Sequence, residues 1–401
     1  MSESITTPAA TTPSATTATT ATTHPPVTTW LAEPLDAQVA AAIDRLRRTD
    51  DVRHIAVMPD VHLASDVCVG TVVATARLLF PGAVGGDIGC GMLALPFDVQ
   101  KSTLQDRPAL VGRLLRLLNS AVPITRRHRR RLIPYPDALR AESVSHGALD
   151  AVKRDAAALQ LGTLGGGNHF VEFQADVEND QLWLMIHTGS RAIGQAVRGH
   201  HRTHAMHLAG GMLALDADTP AGQAYLHDLA WARRYADANR RAIADVVIDL
   251  LRELFNARPI DSSLITCDHN HVAREQFRDG GALWVHRKGA MPAGEGVAGV
   301  LPGSMGTQSF HVEGRGCESA LRSSAHGAGR AMSRNVARQR ITARDLTRQM
   351  SGVWFDPRLS DTLREESPAA YKDIRAVLRA QHDLVRVTRT LRPIVVYKGG
   401  G

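Results

Sequence analysis

The chain has 401 residues, 44% of them hydrophobic, enough to bury a substantial core as one large domain or two moderate ones. Lys and Arg number 47 against 40 Asp and Glu, and the formal charge of +7 favours a polyanionic partner while saying nothing about fold. No apolar run reaches the roughly 18 residues of a membrane span, the start lacks the basic and apolar regions of a secretory signal, and Cys68, Cys90, Cys267 and Cys317 are scattered without disulfide or Cys-x-x-Cys spacing.

A soluble protein in a reducing, cytoplasmic setting is therefore expected, with no membrane partner. Lys101, Lys153, Lys288, Lys372 and Lys398 are the only lysines, so arginine carries almost all the positive charge.

Residues 1–28 are almost all Thr, Ala, Pro and Ser, a composition that cannot offset ordering entropy, and are expected to form a disordered tail ahead of a folded domain over 29–401. Val39, Ala42, Ile43 and Leu46 have helical spacing, and residues 53–58 read as a strand ending at Pro59-Asp60. Further strands are expected at 69–76 and 92–97, and helices at 103–120 and 138–160. Between those helices lies the basic run Arg126-Arg127-His128-Arg129-Arg130-Arg131, either a solvated face or a set of phosphate contacts.

Strands at 170–174 and 182–187 lead into a mostly helical stretch over 191–256. Short strands follow near 262–266, 283–287, 297–301 and 308–313, then helices near 327–350, 360–366 and 373–381. Without a regular βαβ repeat, the class expected is α+β, in a single large catalytic domain with mixed sheets and surrounding helices.

Chemistry concentrates in glycine-framed loops that close apolar runs. Gly85-Gly86-Asp87-Ile88-Gly89-Cys90-Gly91 can fold tightly enough to bring a hard carboxylate and a soft thiolate to one metal position. Gly165-Gly166-Gly167-Asn168-His169, His187-Thr188-Gly189-Ser190-Arg191, Cys267-Asp268-His269-Asn270 and His326-Gly327-Ala328-Gly329-Arg330 follow. Asp87, Cys90, His169, His187 and His269 suffice for one metal, or for two sharing a bridging thiolate. Cys and His favour zinc, and the aspartate admits manganese, iron or cobalt. His200, His204 and His207 share a helical face at ligand spacing but lack a glycine frame and an acidic partner, so a polar face is the preferred reading.

The sequence has neither a Walker-type phosphate loop nor a strand-linked Gly-x-Gly-x-x-Gly fingerprint, and no Lys-x-Asp-Gly segment for a lysine nucleophile. Leu301 to Thr307 instead offers backbone N–H groups and hydroxyls, and His326 stands beside Arg330 at an expected helix start. A neutral imidazole is a competent nucleophile toward phosphorus.

At this point the chain resembles the RtcB family of RNA-splicing ligases. The resemblance runs from about Val57 to Lys398 through Met58-Pro59-Asp60-Val61-His62, Val84 to Met92, Gly162 to Phe170, His187 to Arg191, His269-Asn270, His286 to Ala290, Pro302 to Thr307, His326 to Arg330 and Tyr371-Lys372-Asp373. It implies a GTP- and manganese-dependent enzyme that joins RNA ends bearing a 2′,3′-cyclic phosphate or 3′-phosphate to 5′-hydroxyl ends. By that resemblance His326 would form a histidine–GMP intermediate while Asp60 orients its ring. Asp87, Cys90, His169, His187 and His269 would hold two manganese ions, with Cys90 the bridge. Guanine and phosphate contacts would fall on Asn168, Glu172, Ser304, Ser309, Ala328, Gly329, Arg330, Tyr371 and Lys398. Glu172 suits guanine because a carboxylate can accept from N1–H and the exocyclic amine together.

Leu63 to Cys68 lacks the glycine and lysine usual in the family, and Met291-Pro292 stands where threonine and arginine are common. These departures leave the expected nucleophile and ligands untouched and bear on the RNA substrate, so a repair role competes with tRNA splicing, and the resemblance leaves room for an activating protein partner. The competing functions are a metal-dependent phosphodiesterase or phosphatase acting on RNA ends, and a noncatalytic RNA-binding protein with a structural metal.

Overall fold

Side-chain alternation along Gly91–Gln100 sends Leu93, Leu95 and Phe97 to one side and Met92 and Ala94 to the other, and all five are buried. Gln181–Thr188 repeats the pattern, with Leu182, Leu184 and Ile186 opposed to Trp183 and Met185. Each buried side chain of this size contributes roughly 1.5–3 kcal/mol. The structure is a computed structural model that describes residues 24–128, 132–134, 136–278 and 281–399.

These two strands belong to a seven-stranded, wholly antiparallel sheet. Its order is Ile265–Asp268, Gly91–Gln100, Gln181–Thr188, Phe170–Asp176, Val385–Tyr397, Ser309–Gly314, Ala298–Leu301. One face packs under the Pro108–Ala121 helix through Leu114 and Leu118, and under the Pro220–Phe255 helix through Ile243, Val247 and Leu251. The long helix starts on Thr219, whose side chain accepts from the Gly222 amide, a cap of about 1 kcal/mol, and stops at Asn256 in the left-handed region.

A five-stranded sheet runs Val27–Thr29, Val52–His62, Val69–Thr75, Gly281–Lys288, Asn270–Phe277, with only the first pair parallel. Ile55, Val57 and Val73 pack against Val39, Ile43 and Leu46 of the Ala37–Arg47 helix. Ala56, Met58, Val72, Ala74 and Val285 share one buried cluster with Leu301, Phe310 and Val312 of the larger sheet. The two sheets thus close one interior, the mixed α+β domain expected.

Several boundaries differ from those expected. The tail falls mostly on residues outside those described, and its last residues, Val27 and Thr28, pair with Ile55 and Ala56 as an edge strand. The 53–58 strand continues through Pro59-Asp60 to His62 across a register shift, which carries Asp60 into the interior. The 191–256 stretch is two helices, Ala192–Arg202 and Pro220–Phe255, separated by short strands at Met206–His207 and Leu213–Asp216. Residues 327–333 are not helical, since Gly329 stands at φ 71° and Arg330 bridges to Tyr371; helices follow at Arg334–Arg340 and Ala343–Gln349. Asn270–Phe277 and Val385–Tyr397 were not expected as strands, because charged residues interrupt their apolar alternation.

Among the described residues no helix is long and apolar enough to cross a membrane.

Candidate active site

His269 is the one residue between Ile265–Asp268, an edge of the larger sheet, and Asn270–Phe277, an edge of the smaller. The chain changes sheets there. The His269 amide donates to Cys90 O at 2.8 Å, and its carbonyl accepts from the Gly289 and Ala290 amides at 2.9 and 3.2 Å. Gly91 is needed for this approach, because a Cβ there would lie 2.2 Å from the Cys267 carbonyl oxygen.

The five expected metal ligands come from four separate segments and meet in a chain of contacts. Asp87 Oδ2 lies 3.0 Å from His169 Nε2, which is 3.4 Å from Cys90 Sγ. The sulfur lies 3.3 Å from His187 Nε2, and that nitrogen lies 3.3 Å from His269 Nε2. Leu164 O and Asn168 O face Nδ1 of His169 and His187 at 2.9 and 3.2 Å. A carbonyl on Nδ1 selects the Nδ1–H tautomer and leaves Nε2 as a bare donor. Cys90, His169 and His187 each place one ligand atom within 4.8 Å of the others, a spacing that could hold a metal ion.

Burial holds the His187 and His269 imidazoles well below the usual histidine range, which keeps them neutral and ligand-ready. Burial also pushes the Asp87 carboxyl up, but His169, Cys90 and the Arg191 charge together outweigh it and hold it below the ordinary carboxylate value. The Cys90 thiol is pushed well above its ordinary value by burial and then by Asp87; a bound cation reverses that balance. The donor set fits a metal centre.

Beside it, His326 follows the Ser323–Ala325 strand, and its ring centre lies 4.6 Å from that of His269. Its Nδ1 is 2.7 Å from Oδ2 of Asp60, which is fully buried and also accepts the His326 amide at 3.2 Å. Gly329 seals Asp60 from the other side, where a Cβ would lie 2.4 Å from the Asp60 carbonyl oxygen.

His326, Asp87, Cys90, His187 and His269 line a cavity of about 320 Å³, with His169 and Asp60 in support behind it. Asn168, Glu172, Ser304, Ser309, Ala328, Gly329, Arg330, Tyr371 and Lys398 line the same cavity. Ser309 Oγ accepts the Gly303 amide at 3.2 Å, and Thr307 Oγ1 accepts the Ser304 amide at 2.7 Å, so the 302–307 loop turns on its own hydroxyls. Burial lifts the Glu172 carboxyl to about 8, against the pull of Gln174 and Lys398.

Other motifs fall elsewhere. His200 lies in the last turn of the Ala192–Arg202 helix, His204 follows the helix, and His207 lies in an exposed strand, so the three share no helical face. Arg127 of the basic run is buried and donates to Leu161 O and Ala121 O, an anchor for the chain; Arg129 to Arg131 lie outside the described residues. Asp66, in the segment that departs from the family pattern, takes φ 63° and binds Arg202 at 2.6 Å and Arg198.

Sequence reasoning missed three features. Asn239 and Arg240 of the long helix reach the ligand loops: the Asn239 amide donates to Thr163 O and Gly189 O, and Arg240 Nη1 to Gly89 O and Thr188 O. Lys288 lines the cavity with Nζ on Ser65 O and Val67 O. Glu366 lines it too; burial opposes its charge, but Lys398, Tyr371, Arg334 and Arg330 hold its carboxyl down at about 2. Lys288 lies in the His286 to Ala290 motif but carried no assigned role, and the others read as further polar positions on helices.

A buried sulfur and imidazole cluster beside a carboxylate-held histidine, opening on a cavity with arginine and lysine, defines a group-transfer enzyme with a metal-binding centre. The model of the family described as tRNA-splicing ligase RtcB matches residues 42–399. The RNA-splicing ligase RtcB of Escherichia coli K12 is 35% identical, over 86% of this chain and 90% of its own. That of Mycobacterium tuberculosis H37Rv is 30% identical, over 87% and 97%, and the tRNA-splicing ligase RtcB of Nanoarchaeum equitans 29%, over 87% and 88%. The chain belongs to the RtcB family and is an RNA ligase.

Proposed function

We propose that this ligase joins an RNA 2′,3′-cyclic phosphate or 3′-phosphate end to a 5′-hydroxyl end, in RNA repair or tRNA splicing, through a GMP carried on His326. The observation that carries this reading is the His326–Asp60 pair. Asp60 on Nδ1 keeps the proton there and leaves the Nε2 lone pair for the cavity, and its charge offsets the positive charge that grows on the ring during attack.

In the first step Nε2 bonds to the α-phosphorus of GTP, and the bond to the leaving pyrophosphate breaks. An oxygen of the RNA 3′-phosphate then bonds to that phosphorus and the P–N bond breaks, returning neutral His326. Finally the 5′-hydroxyl oxygen bonds to the RNA phosphorus, loses its proton, and GMP departs. A cyclic phosphate end must first add water, since it lacks the terminal oxygen that accepts GMP. Asp87, Cys90, His169, His187 and His269 would hold two manganese ions, which would supply positive charge against the phosphate oxygens.

Glu172 and Lys398 face one cavity as a carboxyl group and an amino group. Guanine offers N1–H and an amine beside the O6 acceptor, which matches that pair, and adenine does not. The 302–307 loop and Arg330 suit the phosphates.

Incubation with GTP labelled at the α-phosphate and Mn²⁺ tests the reading. An acid-labile protein–GMP adduct, lost in His326→Ala, and ligation of a 3′-phosphate RNA to a 5′-hydroxyl RNA are expected. Turnover of cyclic phosphate without any adduct would overturn ligation in favour of a phosphodiesterase.

A further inference from the structure

Glu366 binds four groups of the cavity wall at once. Its Oε1 accepts from Arg330 Nη1 at 3.1 Å and Arg334 Nε at 3.2 Å. Its Oε2 accepts from Lys398 Nζ at 3.1 Å and from the Tyr371 hydroxyl. Side chains of Glu366 and Lys398 are each 3% exposed, so each charge depends mainly on the other and on its protein neighbours. Lys398 Nζ also lies 5.7 Å from the Phe170 ring centre, on the wall that carries Glu172.

We propose that Glu366 is a specificity-determining positioning residue, the counter-ion that keeps the Lys398 ammonium charged and fixed where the O6 acceptor of guanine is read. The inference rests on the guanosine-nucleotide reading above. A buried ammonium without an anion gives up its proton or swings toward solvent, and either change removes the donor that O6 needs. Glu172 reads the other edge of the base and is linked to Lys398 through charge alone, with no hydrogen bond to Glu366, so the two recognitions can be told apart.

The test compares adduct formation from GTP, 6-thio-GTP and ITP by wild type and Glu366→Gln. The thio analogue weakens the acceptor at position 6, and inosine removes the amine that Glu172 would bind. Wild type should prefer GTP to both analogues. In Glu366→Gln the preference over 6-thio-GTP should shrink by roughly tenfold, the worth of a charged hydrogen bond. The preference over ITP should stay near that of wild type. Loss of both preferences together would mean general collapse of the pocket and overturn the role.

Lys398→Met supplies a second arm. It should lose the 6-thio-GTP discrimination by itself, and the double variant should lose no more than either single one. Additive losses would overturn the coupling, and if Glu366→Gln does not fold, Glu366→Asp takes its place and should retain part of the discrimination; unchanged discrimination there with Lys398 still required would overturn the proposal. Should wild type form no adduct with any guanine nucleotide, the guanosine reading and this inference fall together. If wild type discriminates and Glu366→Gln does so equally, only the role of Glu366 falls.

Discussion

Oδ2 of Asp60 accepts both the ring Nδ1–H and the backbone N–H of His326, at 2.7 and 3.2 Å, from a position with no exposed surface. Two bonds to one oxygen fix the ring plane and the tautomer together. Asp60→Asn preserves the shape but favours the wrong tautomer, because an amide N–H facing Nδ1 puts the proton on Nε2. Adduct formation should fall by about 10³–10⁴-fold, with stability little changed. A rate within tenfold of wild type would remove Asp60 as the orienting group.

Cys90 touches donors on both sides, His169 at 3.4 Å and His187 at 3.3 Å. Cys90→Ala should dismantle metal binding on both sides and abolish adduct formation. Cobalt(II) titration of the nucleotide-free protein checks this by the thiolate charge-transfer band: wild type should show it and the variant should not. Equal metal stoichiometry and affinity in the variant would exclude a shared thiolate.

Nucleotide binding should depend on pH through Glu172. Its folded pKa of about 8 lies above the unfolded carboxylate value, so the folded state holds the extra proton. Its contribution is therefore fully present at acid pH and lost as pH rises through the carboxylate range toward about 8, by up to roughly 1.4 kcal/mol per pH unit. Wild-type melting temperature should carry that slope and Glu172→Gln should lack it. Guanine needs the carboxylate, so GTP binding should release a proton near neutral pH, measured by calorimetry in buffers of different ionisation enthalpy. Glu172→Gln should also weaken the preference for GTP over ATP; unchanged preference would take this residue out of the base site.

Arg240 Nη1 donates to Gly89 O at 2.8 Å and Thr188 O at 3.0 Å, one residue away from Cys90 and His187. Arg240→Met keeps the buried stem but strands both carbonyls, at a cost of about 1–3 kcal/mol for each buried group left unpaired. Melting temperature and cobalt affinity should drop together, whereas a variant with lowered stability and unchanged metal affinity would show that the clamp supports the fold alone.

Gly91→Ala would drive a methyl group against the Cys267 carbonyl and part the two sheets at His269. Destabilisation by a few kcal/mol and loss of the cobalt band are expected. Wild-type melting and metal binding in this variant would show that the seam can relax.

Sequence alone was enough to find the glycine-framed loops, because tight turns that aim polar side chains need glycine and place it beside the reactive residue. Asp87, Cys90, His169, His187, His269 and His326 stood out for that reason, as did the mixed α+β class from strands without βαβ spacing. Glu366 was hidden: as half of Glu365-Glu366 it reads as a solvated pair, and only packing buries it among Arg330, Arg334, Tyr371 and Lys398. Asn239 and Arg240 were hidden likewise, since a helical pattern gives the face a residue occupies but not the carbonyls that face meets.

The sequence determined which atoms could do the chemistry, since ligand and nucleophile identity is a local property of residue type and turn. Only the tertiary structure decided that they meet. Sulfur, carboxylate, imidazoles and the proposed nucleophile come from segments up to 266 residues apart, as His326 and Asp60 are, and their convergence at the seam where His269 crosses between sheets follows from long-range strand register. Register is set by burying both sheet faces at once, a global balance that no single stretch of chain encodes.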